Sequence, residues 1–449
     1  MAAAAKTLSK ITALLGQCSS WRDMLQGNIL DELVQLTHDL RNLEHATSIL
    51  GVEVDAATLD AQLAAFQQWL EAGMHRSDCV FKVEKVGAHG NGLIAQVDIA
   101  EGSQLLSIPA ELLLTSALPA SLDRLRHDPL CRQFPTVPLA LHVLHEAFSP
   151  TSRFAPYIAV LPRHFHLPLF YSAADFTALS TSAAAASAIP LFYNALRQYI
   201  YLRRLLESSP LPGLPVAAFS LTNYFWSLAV VLTRQNNVPT PKDPSALALI
   251  PGWDMCNHAF GRMTTYADAD AIVCDAMTSF NAGDEITICY GPRPNSDLLI
   301  YSGFSVAINP HDRVPLLVAL RPPHEDPLRK IRLLLLEKRG ATLTPDGLHL
   351  QVLLDAAGRL ASPRHRQHVQ LLVLDKPQLA MALRQAADDD ALVAWQAGGD
   401  EAAVECVRAA CAAHVGETTT TRDVVHSSIV EYLAHERTIY ERAMAHRVF

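Results

Sequence analysis

Strand-like sequence in this chain is confined to two stretches, with a long helical segment between them. In the first, Cys79-Val-Phe-Lys-Val-Glu-Lys-Val86 alternates and is rich in β-branched residues, and Gly87, Gly90 and Gly92 punctuate the residues after it. Leu93-Ile-Ala-Gln-Val97 and Gln104-Leu-Leu-Ser-Ile108 read as further short strands, the latter stopping at Pro109. In the second, residues 246–251 and 271–276 are strand-like, and Glu285-Ile-Thr-Ile-Cys-Tyr290 comes after the turn Asn281-Ala-Gly-Asp284. Between them, residues 139–148, 173–180, 189–206 and 221–232 carry helical periodicity, broken by Pro150, Pro162 and the Pro210/Pro212/Pro215 cluster. Residues 8–50 and 59–72 repeat apolar positions every three or four residues, and beyond Pro315 the chain reads as helical to its end. The resulting class is α+β. The expected domains are an N-terminal helical segment at 1–77, a β-rich domain at 78–314, and an all-helical C-terminal domain at 315–449. The middle domain has its core at 78–137 and 236–314 and its helical insert at 138–235.

Half of the 449 residues are hydrophobic and 18% are charged, below the roughly 25% usual for soluble domains. The longest apolar runs, 225–232 and 247–251, fall far short of the roughly 20 residues that a spanning helix needs. No apolar core of signal-peptide type comes after Met1–Lys6. The expectation is a soluble, cytoplasmic protein, with the nucleus as a second compartment and no membrane partner. The net charge of −9 argues against nucleic acid, which calls for a basic face. Basic residues do gather at 321–339 and 359–366, but apolar residues interrupt both runs, as on a solvated helix face. The eight cysteines (18, 79, 131, 256, 274, 289, 406 and 411) form no CxxC pair. They read as free thiols rather than a zinc site, which needs paired ligands at short spacing.

Polar words cluster within 80 residues: Thr233-Arg-Gln-Asn236, Trp253-Asp-Met-Cys-Asn-His258, Gly283-Asp-Glu-Ile-Thr-Ile-Cys-Tyr-Gly291 and Ser302-Gly-Phe304. A fifth, Gly90-Asn-Gly-Leu93, lies in the first β stretch. Each has a plain alternative. Gly90-x-Gly lacks the remainder of GxGxxG, so it does not argue for a dinucleotide. Cys256 and His258 lack a second ligand cluster for a metal, and no acid is evident to orient His258 as a base for a Cys256 nucleophile. Asn257-His258 could be a hydrogen-bonded core node, and Tyr290 a core tyrosine with its hydroxyl paired.

Taken together, the words resemble the SET-domain methyltransferases: Asn-His after a short strand, then a Gly-Asp-Glu-Ile turn and a strand ending in Tyr-Gly. Within them the chain is similar to the actin-histidine N-methyltransferases. The words that carry this are Thr233-Arg-Gln-Asn-Asn-Val-Pro239, Leu247-Ala-Leu-Ile-Pro251, Trp253–His258, Tyr290-Gly-x-Arg-x-Asn295, Ser302-Gly-Phe304 and His311-Asp-Arg313. Ala155-Pro-Tyr-Ile158, Leu161-Pro162 and residues 14–20 are similar as well. The resemblance runs from about residue 8 to about 314 and is strongest over 222–313. It implies a pseudoknotted β core that brings Asn257-His258 beside Tyr290. The Rubisco large-subunit lysine methyltransferase belongs to the same zinc-free branch, which agrees with the unpaired cysteines. The chain departs from the family pattern at His89-Gly-Asn-Gly92, where Glu-Gly-Phe-Gly is expected. It also has Gly252 for a bulky apolar residue and Cys289 for an aromatic.

The resemblance also assigns roles. S-adenosylmethionine would lie against His89, Gly90, Asn91, Arg234, Asp254, Met255, Cys256, Asn257, His258, Ser302, Gly303 and Phe304. Tyr290 would stand at the methyl-transfer channel. Gln235, Asn236, Trp253, Ile288 and Arg293 would line the groove for actin, and no metal is implied. The chemistry separates two acceptors. A lysine amine, with a pKa near about 10.4, must first lose a proton. An imidazole, near about 6.5, is already largely neutral and needs its tautomer and ring plane fixed instead. A carboxamide can do that by hydrogen bonding, and Asn236 is the candidate; related lysine enzymes tend to carry an aromatic there. The alternatives are a protein-lysine methyltransferase of the Rubisco or ribosomal-protein type and an inactive SET scaffold that binds protein partners.

Overall fold

The computed structural model describes residues 2–45, 48–51, 54–75, 79–87, 90–238, 246–268, 270–385, 400–417 and 425–445. Three helices come first: α1 (Ala2–Gln17), α2 (Ile29–Glu44) and α3 (Ala56–Gly73). The Asp55 side chain caps α3 by accepting from Thr58 N at 2.7 Å. Leu63, Phe66 and Leu70 form its buried stripe at the spacing of one helix face. Four strands come next: β1 (Phe81–Lys85), β2 (Asn91–Ala95), β3 (Gln104–Pro109) and β4 (Leu114–Thr115). The helical stretch contains α4 (Pro129–Gln133), α5 (Thr136–Phe148), α6 (Ala155–Val160), α7 (Ala173–Leu179), α8 (Ala185–Ser208) and α9 (Leu221–Arg234).

The second group of strands is β5 (Asn236–Asn237), β6 (Leu247–Leu249), β7 (Asn257–His258), β8 (Thr265–Asp268), β9 (Ala271–Asp275) and β10 (Glu285–Ile288). The remainder comprises α10 (Asn295–Ser302), β11 (Arg313–Ala319), α11 (Arg329–Lys338), β12 (Thr342–Leu343), β13 (His349–Asp355), α12 (Pro363–Val373), α13 (Lys376–Gln385), α14 (Asp400–Glu417) and α15 (Ser427–Ala445). Among the described residues no helix is long and apolar enough to cross a membrane.

The chain forms two compact units, one of 1–173 with 189–291 and the other of 174–188 with 292–449. In the first, three small sheets join strands from both β stretches: β1-β2-β10-β7, β3-β9-β8 and β4-β6-β5. The expected α+β architecture with a helical insert holds there. α9 is buried continuously from Leu221 to Leu232, as a helix enclosed on all sides must be. Ser220 caps it, accepting from Asn223 N at 3.1 Å, and it ends at Arg234 because Gln235 is extended.

The second unit corrects one expectation. Its portion beyond residue 315 is not all-helical: β11, β13 and β12 form a three-stranded antiparallel sheet. Val314, Leu316 and Val318 of β11 and Leu350, Val352 and Leu354 of β13 turn inward. They pack in one core with Leu335, Leu336, Val369, Val407 and Tyr440 from the surrounding helices. Pro315 is tolerated because β11 is an edge strand, paired on one side only.

Candidate active site

The site grows from the position of β10. This strand lies antiparallel to β2, with Glu285 opposite Ile94, and parallel to β7, with Thr287 opposite Asn257 and Ile288 opposite His258. Between β7 and β10 the chain leaves to form the β8–β9 hairpin, which pairs with β3, and then returns. A two-residue strand such as β7 has almost no pairing of its own, so β10 fixes its placement. The result sets Tyr290 against His258. Tyr290 N donates to His258 Nδ1 at 3.2 Å, the two rings lie 5.1 Å apart, and Tyr290 Oη donates to the Cys256 carbonyl at 2.8 Å. Because Nδ1 accepts, neutral His258 carries its proton on Nε2. Asn257 Nδ2 donates to Glu285 Oε1 at 2.6 Å, fixing the amide. Gly92 is required beside this pair, since a Cβ there would come within 2.6 Å of Val86 and 3.0 Å of Glu285 Oε1.

Upstream, the turn Trp253–Met255 comes after Gly252, whose φ of +85° lies in the left-handed region that favours glycine. Leu70 of α3 fills the space where a Gly252 Cβ would sit. Asp254 points into the interior, where Tyr157 of α6 donates its hydroxyl to Oδ2. Arg234 donates from Nη1 to the Asp254 carbonyl and lies 3.8 Å from Oδ1 and 3.8 Å from the Met255 sulfur. Burial pushes the Asp254 carboxyl up to about 6, with the Arg234 charge opposing the rise. Burial and the Asp254 charge push the Tyr157 phenol well up. Trp253 is held by its Nε1, which donates to Thr265 Oγ1 at 2.7 Å. Arg234 Nε and Gln235 Oε1 are buried without a hydrogen-bond partner among the described residues.

Asn236 lies on β5 opposite Ala248, in the sheet with β4 and β6, and its Nδ2 donates to the Arg234 carbonyl at 3.1 Å. Ile288 is 3% exposed and lies on β10 opposite His258 of β7. Asn91 spends its side-chain amide on the Val160 carbonyl at 3.0 Å and is paired with Lys85 across β1 and β2; Gly90 is exposed, and His89 lies outside the described residues. Cys256 is buried and its thiol is pushed well up by burial, which removes it as a nucleophile. Among the described residues no cluster of three or more His, Cys, Asp or Glu could hold a metal.

Arg293, Ser302, Gly303 and Phe304 belong to the second unit. There Gly303, at φ +81°, closes α10, and the Arg293 carbonyl accepts from Asn309 Nδ2 at 2.9 Å. Ser302 Oγ is buried without a partner among the described residues. Two residues escaped the sequence reading. Glu285 stood inside a quoted motif yet gave no sign of its partner. Tyr157 lay in the Ala155-Pro-Tyr-Ile158 word, but its contact is 97 residues away.

No family model matches the chain. It is 32% identical over 316 residues to the actin-histidine N-methyltransferase of Danio rerio, covering 68% of this chain and 52% of that protein. To that of Canis lupus familiaris it is 33% identical over 318 residues, covering 69% and 53%, and to that of Mus musculus 37% over 243 residues, covering 52% and 41%. The chain spans about half the length of the curated relatives it matches. Among solved structures, the SET domain of LSMT bound to lysine and AdoHcy superposes with a TM-score of 0.63 at 18% identity, covering 86% of this chain and 91% of that one. Rubisco LSMT bound to AdoMet gives a TM-score of 0.58 at 16% identity, covering 86% and 91%.

Proposed function

The chain has the SET-domain fold, and from that premise we propose that it is an S-adenosylmethionine-dependent protein-histidine N-methyltransferase whose substrate is a histidine of actin. One observation carries the reading. In a chain one-third identical to actin-histidine N-methyltransferases, the β7–β10 pairing fixes Tyr290 Oη on the Cys256 carbonyl beside His258. The residues present fit the cofactor. Arg234 Nε and Gln235 Oε1 are a buried donor and a buried acceptor with no partner among the described residues. A ligand bearing carboxylate, amino and hydroxyl groups would answer both, because buried polar atoms are costly to leave unpaired. Arg234, Asn257 and His258 would hold it. When bound, S-adenosylmethionine supplies a methyl group activated on a sulfonium.

The chain's own residues supply orientation. The Tyr290 hydroxyl cannot rotate freely while it donates to Cys256 O, so its lone pairs keep a fixed direction. Asn236 commits one amide hydrogen to the Arg234 carbonyl, and its carboxamide oxygen is the group suited to accept from an imidazole N–H. A ring that donates from one nitrogen keeps its lone pair on the other, which is the form that attacks. Trp253, held by Thr265, supplies a flat wall for that ring. We place the reaction in the cytoplasm; buried free thiols at Cys18, Cys131, Cys256, Cys274 and Cys411 suit a reducing compartment.

A second reading has its own support, since one of the LSMT neighbours is bound to lysine. The test is transfer of a tritiated methyl from S-adenosylmethionine to purified actin, followed by acid hydrolysis. Label in methylhistidine supports the proposal, label in methyllysine supports the rival, and absence of both transfer and cofactor binding points to a scaffold.

A further inference from the structure

We infer that Tyr157 is a positioning residue for this site: its hydroxyl holds the Asp254 side chain, and through that the turn whose Cys256 carbonyl orients Tyr290. The inference rests on the methyl-transfer reading and assigns a role to a helix outside the β core.

Tyr157 is fully buried on α6, against Phe66 of α3 with ring centroids 5.9 Å apart. Its hydroxyl reaches Asp254 Oδ2. Arg234, the last residue of α9, donates to the carbonyl of the same Asp254. Two residues on, Cys256 presents its carbonyl to Tyr290 Oη at 2.8 Å. The final residue of α6 also takes part: the Val160 carbonyl accepts the Asn91 amide at the start of β2. One six-residue helix therefore ties down both the turn before β7 and the first residue of β2. Phe154 packs on Trp69 at 6.1 Å and anchors the near end of α6 to α3.

A merely structural tyrosine would be served by any backbone carbonyl. Here the partner is an ionisable carboxylate kept in the interior, which is costly unless the charge is used. Among the described residues, the titratable or charged groups facing Asp254 are the Tyr157 phenol, the Arg234 guanidinium and the Cys256 thiol. With its carboxyl raised to about 6 in the folded chain, above about 3.9 for an exposed aspartate, the native state binds that proton more tightly. Stability contributed at this position therefore falls as pH rises from about 4 to about 6 and stays low above.

The test uses the full chain and two variants, Tyr157→Phe and Asp254→Asn. Calorimetry with S-adenosylmethionine between pH 5 and 8, without histidine substrate, should give wild-type affinity that strengthens with a midpoint near pH 6. Tyr157→Phe should move that midpoint upward, and lower kcat roughly tenfold while leaving KM for the acceptor peptide within about twofold. Asp254→Asn should abolish the pH dependence. An unchanged midpoint and kcat in Tyr157→Phe would overturn the role, as would a wild-type midpoint in Asp254→Asn. Melting curves without cofactor give an independent readout. The wild type should lose melting temperature relative to Asp254→Asn as pH rises from 4 to 6, and parallel curves would overturn the inference. Failure of the wild type to bind cofactor at any pH would instead overturn the methyl-transfer reading, with the melting curves still deciding whether Tyr157 holds an ionising Asp254.

Discussion

Two buried arginine–aspartate pairs, one in each unit, use the same residue types to opposite ends. In the second unit Arg332 Nε meets Asp326 Oδ2 at 2.9 Å, Nη1 donates to the Leu371 carbonyl at 2.6 Å, and Asp326 Oδ1 accepts from Leu328 N at 3.0 Å just before α11. That pair is nearly saturated and serves architecture. In the first unit Arg234 and Asp254 Oδ1 stand 3.8 Å apart, and Arg234 Nε and Asp254 Oδ1 have no hydrogen-bond partner among the described residues. Burial lifts the Asp254 carboxyl to about 6. A charge pair kept inside yet left short of partners is poorly explained by stability, and suits a site that a polar ligand completes.

The sharpest way to break that contrast is to replace each arginine. Arg332→Met should cost about 3–5 kcal/mol in urea unfolding, because it strands a buried carboxylate, while cofactor affinity per folded molecule stays unchanged. Arg234→Met should cost less stability, roughly 2 kcal/mol or under, but remove measurable cofactor binding. If both variants lose only stability, the two pairs are alike and the contrast fails. Tyr290→Phe removes one hydroxyl and its bond to Cys256; kcat should fall about 100-fold with the fold intact by circular dichroism. Asn236→Ala should lower kcat for a histidine peptide about tenfold, the scale of one orienting hydrogen bond. The smallest effect is on pH. With saturating cofactor the rate should rise through about pH 6–7 as the acceptor imidazole loses its proton, then level off. A continued climb toward pH 9–10 would indicate a lysine acceptor.

The two units also differ in how far the sequence revealed them. In the first, periodicity located α3, α5, α8 and α9, and alternation with glycine punctuation located β1, β3 and β10, because those signals are local. Asn257, His258 and Tyr290 were recognisable as words, and their meeting was implied only by the resemblance. In the second unit the helices beyond residue 315 were legible and the β11-β13-β12 sheet was not. Residues 349–355, His-Leu-Gln-Val-Leu-Leu-Asp, alternate correctly for a strand, yet leucine and glutamine also favour helices, and a short apolar run cannot settle the choice. Pro315 at the start of the apolar run disguised β11, since only its edge position makes a proline acceptable. Tyr157 was invisible for another reason. Nothing around it in the sequence marks a carboxylate that arrives from 97 residues downstream.

Whether the acceptor is histidine can be read by tandem mass spectrometry of full-length actin incubated with the purified chain and S-adenosylmethionine. The expected result is a single added methyl on one histidine, absent with Tyr290→Phe. Methyl groups on lysine, or unmodified actin beside a chain that binds the cofactor, would contradict histidine methylation.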